Sequence, residues 1–131
     1  MAPGVALLLI DVQQDFVRGS LAVPGAPALL SPLCELVQHP WDLIVASKDD
    51  HPPNHVSFAA THGAEPFTLK EIPHPFEART LSQRMWPVHC VQGTPGAALE
   101  PALQQALDAC AARGTPVHYV HKGRDLRRFG H

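Results

Sequence analysis

Asp49 and His51 stand two residues apart in the stretch Ser47-Lys-Asp-Asp-His51. On extended backbone, side chains at i and i+2 leave the chain on the same side, so a carboxylate and an imidazole at this spacing can reach one ion. A second imidazole, His89, lies in Trp86-Pro-Val-His-Cys90. Two histidines and one carboxylate make a metal site with positions left open for water or a ligand, and such donors suit zinc, iron or manganese. The plainer alternative is a solvated strand end at Asp49 and His51, with His89 an ordinary loop histidine. His55 is a fourth candidate ligand at a less constrained distance, and reads more readily as a support for the others. His62, His74, His118 and His121 read as surface or strand histidines.

Three short apolar segments must position these groups. Residues 5–10 (Val-Ala-Leu-Leu-Leu-Ile) form a continuous apolar run ending at Asp11, the pattern of a buried parallel strand. Residues 41–47 read as a second strand that runs into Asp49 and His51, and residues 116–120 as a third that ends at His121-Lys122-Gly123. Between them, residues 26–38 carry leucines at helical spacing behind Pro24 and Gly25, and residues 97–113 are rich in Ala and Leu and stop at Gly114. Residues 52–96 show little periodicity and much Pro, His and Gly, so they are expected to form a long functional loop. Strand–helix–strand–loop–helix–strand predicts a parallel sheet with right-handed crossovers. Each strand then delivers an ionisable residue at its C-terminal end: Asp11, Asp49 with His51, and Lys122. Open α/β sheets bind ligands beyond those ends.

The totals exclude several classes. A chain of 131 residues with 45% hydrophobic content fits one domain with a buried core. Ten Lys and Arg against twelve Asp and Glu give a net charge of −2, which argues against a nucleic-acid binder. No apolar run approaches the roughly eighteen residues of a membrane span, and the N-terminal run lacks the flanks of a signal peptide. Three cysteines without a CxxC spacing make no disulfide framework, so a reducing compartment is expected.

The motifs go further. Leu7-Leu-Leu-Ile-Asp11-Val-Gln-Gln-Asp15-Phe16, followed by Gly19-Ser-Leu-Ala-Val-Pro-Gly25, resembles the opening of the isochorismatase-like hydrolases. Ser47 to Phe58, Trp86 to Gly96 and His121-Lys122-Gly123 resemble their nicotinamidase/pyrazinamidase branch, in the same order along the chain. The resemblance implies a three-layer α/β/α, Rossmann-like fold in one domain over residues 1–131, incomplete at its C-terminal end. It also implies metal-dependent deamidation of nicotinamide to nicotinate and ammonia, a step of NAD salvage and pyridine nucleotide biosynthesis. In that reading Asp49, His51 and His89 hold the divalent ion, zinc first and iron or manganese as alternatives, and orient the pyridine ring. Asp11 shuttles protons, Lys122 favours a thiolate, and Phe16 and Trp86 line the pocket of the flat ring. The implied ligand is a small pyridine carboxamide, with no nucleic acid or membrane partner; a homo-oligomer is allowed. Placement is cytoplasmic, with the nucleus or peroxisome as alternatives.

The family's attacking cysteine, at a helix start after a further strand, has no counterpart up to His131. The residues after Lys122 also depart from the family pattern. Cys34 falls within the first predicted helix, Cys110 near the negative end of the second, and Cys90 points away from its neighbour His89. A non-catalytic metal- and pyridine-binding module, or a truncated inactive isoform, is therefore the alternative to an active hydrolase.

Overall fold

The computed structural model describes residues 3–128. Three strands form a parallel sheet in the order β1 (Ala6–Ile10), β2 (Leu43–Asp49), β5 (Val117–Lys122). The register pairs Ile10 with Ser47 and Asp49 with Lys122, so the ionisable residues after each apolar run arrive together at one end of the sheet. The parallel α/β architecture expected from the strand–helix alternation is what the chain adopts.

Two helices cover one sheet face. Helix α3 (Pro101–Ala112) begins with proline in its first turn, where no backbone donor is lost. Glu100 caps it by accepting the Ala102 N–H at 2.8 Å. Leu103, Leu107 and Cys110 recur at helical spacing and are fully buried. Helix α2 (Leu30–Val37), preceded by a 3-10 turn at Ala26–Leu29, adds Leu33 and Val37 to the same core, where they meet Leu9, Ile44 and Ala46 of the sheet. Alternation along the strands sends the next residues to the opposite face. There Leu8, Ile10 and Val120 remain 62%, 65% and 49% exposed. The described residues thus supply two layers of the three that the resemblance implied.

Residues 52–96 are more ordered than their composition predicts. They contain an antiparallel hairpin, β3 (Leu69–Pro73) with β4 (Thr80–Arg84). Its two strands are mostly polar and solvent-facing. Only the paired Ile72 and Leu81 turn inward, against Met85 and Ala59, which leaves too weak an alternation to read. A single-turn helix, α1 (Gln14–Val17), was also not expected. Among the described residues, no helix is long and apolar enough to cross a membrane.

Candidate metal centre

The first strand ends in a sharp turn. Asp11 takes a left-handed backbone (φ 56) and accepts the Ser47 hydroxyl at 2.6 Å. Lys122, at the end of β5, places its ammonium between two carboxylates, 2.8 Å from Asp11 and 2.6 Å from Asp49. Burial opposes charge on both Asp49 and Lys122. For Asp49, hydrogen bonds from His51 and Lys122 and their charges outweigh it, holding the carboxyl down at about 2. For Lys122, the bonds to Asp11 and Asp49 outweigh it, and the ammonium is held above its ordinary value.

Asp49, His51 and His89 converge: each offers a donor atom within 4.8 Å of the others. These are the candidates read from the sequence, Asp49 and His51 from their spacing and His89 from the Trp86–Cys90 stretch. The tautomers suit a cation. His51 Nδ1 faces the Gly123 carbonyl at 2.8 Å and His89 Nδ1 faces the Pro87 carbonyl at 2.7 Å. A carbonyl only accepts, so both Nδ1 atoms carry a proton, and Nε2 is the atom left to present a lone pair to an ion once it gives up its own proton. Burial pushes His89 toward the neutral form that a metal requires, against the pull of the Pro87 carbonyl. A carboxylate and two imidazoles, already turned by outer carbonyls, fit a divalent ion.

His55 is drawn in but differently held. Its ring stacks on His51 at 4.2 Å between centroids, with Nδ1 on the Ser57 hydroxyl and Nε2 on the Arg128 carbonyl. Both ring nitrogens are engaged, so it supports the triad from behind. Phe16 lies against His89 at 5.5 Å, while the Trp86 ring meets Phe67 edge-on at 6.0 Å. Asp11 and Phe16 also line a cleft of about 370 Å³ together with Val23, Pro24 and Leu29. Among the histidines read as ordinary, His118 is exposed on β5, whereas His62 bonds the Val56 carbonyl, His74 takes backbone N–H groups of its own turn, and His121 meets Asp50.

Several residues escaped the sequence reading. Gln13 is fully buried and grips the backbone of Asp49 twice, donating to its carbonyl at 2.7 Å and accepting its N–H at 2.9 Å. Phe58, also fully buried, stands edge-on to both His51 and His89. Gly123 (φ 69) runs so close to the His51 ring that a Cβ would overlap it. The pair Gln13-Gln14 between Asp11 and Asp15 was the one available signal.

Cys90 is buried, and burial followed by the Asp49, Asp15 and Asp11 carboxylates pushes its thiol well up. Cys34 is also raised, by burial and then Glu100. Cys110 is buried under α2 with its sulfur on the Val37 carbonyl at 3.2 Å.

No family model matches the chain. It is 43% identical over 107 residues to the nicotinamidase of Escherichia coli strain K12, which covers 79% of this chain and 47% of that protein. The fold superposes on the yeast nicotinamidase Pnc1p bound to the inhibitor nicotinaldehyde with a TM-score of 0.80 at 33% identity, over 95% of this chain and 59% of that one. It also matches the pyrazinamidase of Pyrococcus horikoshii in complex with zinc, with a TM-score of 0.62 at 28% identity, over 97% and 56% of the two chains. The chain spans about half the length of the curated relatives it matches. By sequence and by fold, it belongs to the nicotinamidase group of the isochorismatase-like hydrolases.

Proposed function

We infer that this chain carries the metal-binding, ring-holding and proton-handling side of a site for deamidating nicotinamide to nicotinate and ammonia. The observation that carries the reading is the convergence of Asp49, His51 and His89 beside the Asp11–Lys122 pair. A divalent ion held there, zinc by preference, would supply a Lewis-acidic point for a pyridine nitrogen. The zinc in the Pyrococcus relative and the nicotinaldehyde in the yeast one support that pairing of ion and ring.

The chain's own groups have separable duties. Phe16 offers a flat apolar face at the edge of the site. Asp11, within hydrogen-bond reach of Lys122, is placed to take a proton from an attacking group and return it to departing ammonia. Lys122 keeps its charge and lowers the cost of a nearby anion. The attacking thiol is not one of this chain's cysteines, because the thiols of Cys90 and of Cys34 on α2 are both pushed up and Cys110 is sealed beneath a helix. That same observation favours a second reading, a module that binds metal and pyridine carboxamide without turnover.

Calorimetric titration of the zinc-loaded chain with nicotinamide, run beside an ammonia assay, separates the two. Saturable binding that weakens in Phe16→Ala supports a pyridine site; a zinc-loaded chain that ignores nicotinamide contradicts it. Ammonia release abolished by Lys122→Ala selects the enzyme, and binding without release selects the module.

A further inference from the structure

The Asp15 carboxylate belongs to neither the candidate ligand set nor the Asp11–Lys122–Asp49 cluster, yet it is tightly enclosed. Its Oδ2 accepts the backbone N–H of Cys90 at 2.8 Å, across 75 residues of sequence, and its Oδ1 accepts the Ser20 N–H at 3.3 Å. Two glycines make the space: a Cβ on either Gly19 or Gly96 would overlap the carboxylate. An acid in the first turn of α1 is ordinarily explained by the helix end alone. A first-turn acid that reaches out to a distant loop needs another reason.

The loop it holds is the one that bears a candidate ligand. Cys90 has a left-handed backbone (φ 48), which a residue with a Cβ keeps only where its surroundings impose it. His89 precedes it directly. The Cys90 carbonyl accepts the His51 N–H at 2.9 Å, and the His51 carbonyl accepts the Gln92 N–H at 2.8 Å. The peptide of Cys90 is therefore a junction between the two histidine-bearing segments, and Asp15 fixes it from the N–H side.

We propose that Asp15 is a positioning residue for the metal centre, holding the Cys90 peptide so that His51 and His89 meet on one ion. This rests on the metal reading given above. An amide in place of the carboxylate turns an NH₂ group toward one of two N–H donors and removes the charge, so Asp15→Asn weakens the anchor at nearly constant volume. Gly96→Ala reaches the same contact from the other side, displacing the carboxylate without altering it.

Two readouts are needed, amide exchange at Cys90 in the metal-free chain and cobalt(II) affinity with its visible spectrum. The wild-type Cys90 amide should be protected, and in both variants it should exchange at least about ten-fold faster. Cobalt should bind ten- to a hundred-fold more weakly in both, the range for outer-shell partners, with an altered visible spectrum. An unprotected Cys90 amide in the wild type, or variants that bind cobalt with unchanged affinity and spectrum, overturns the proposal. A wild-type chain that binds no cobalt refutes the metal reading and with it the positioning role, while faster Cys90 exchange in the variants would still identify Asp15 as a structural anchor. If Asp15→Asn does not fold, Gly96→Ala and the wild-type exchange rate decide.

Discussion

Replacing Lys122 by Met keeps the length of the side chain and removes the charge shared by Asp11 and Asp49. The distance between an ordinary Asp at 3.8 and Asp49 at about 2 is worth about 2.5 kcal/mol at neutral pH. His51 and Lys122 share this, and water reaches a lysine that is 27% exposed beside an Asp49 that is 13% exposed. A loss of about 1–2 kcal/mol at pH 7 is therefore expected. The pH dependence is the sharper signature. In the wild type, Asp49 has a depressed folded value, so its contribution is complete above about pH 4 and is lost as pH falls toward 2. In the variant, burial is the largest remaining influence on Asp49 and lifts its carboxyl, so protonation favours the folded state and the deficit shrinks as pH falls from 7 to 4. Urea unfolding followed by fluorescence of Trp41 and Trp86 across that range measures both. A deficit below about 0.5 kcal/mol, or one that does not change between pH 7 and 4, would refute the reasoning.

Gly123→Ala should destabilise the chain by about 2–3 kcal/mol, from a left-handed backbone and overlap with the His51 ring, and should weaken zinc binding as well; a thermal melt unchanged from wild type would contradict this. Leu107→Ala opens a cavity at a fully buried position of α3 and should cost about 3 kcal/mol in urea unfolding, with zinc affinity unaltered. Cys90 should resist iodoacetamide at pH 8 in the folded chain and react only on unfolding, since its proton is held well above that pH; rapid native labelling, read by mass spectrometry, would show the thiol to be available after all.

The sheet was legible because its strands are nearly continuous apolar runs, and a parallel strand buried by helices needs nothing else. The candidate ligand set was legible for a related reason: a strand's period of two puts Asp49 and His51 on one side, and the apolar run before them fixes where that side lies. The hairpin at Leu69–Arg84 was hidden because only Ile72 and Leu81 mark its inner face. Gln13, Phe58 and Asp15 were hidden because they act through backbone groups and ring faces brought together from up to 84 residues away. Side-chain chemistry announces ligands by type, whereas the groups that aim them are visible only once the chain is folded.

The claim on which the rest depends is that Asp49, His51 and His89 hold one divalent ion. Zinc affinity measured by competition with a chromophoric chelator, on the wild type and on Asp49→Asn, His51→Ala and His89→Ala, tests it most directly. One ion per chain is predicted, with each substitution weakening binding by more than about a hundred-fold, beyond what an outer-shell change produces. A wild-type chain that takes up no zinc, or variants that bind it as well as the wild type, would contradict the account.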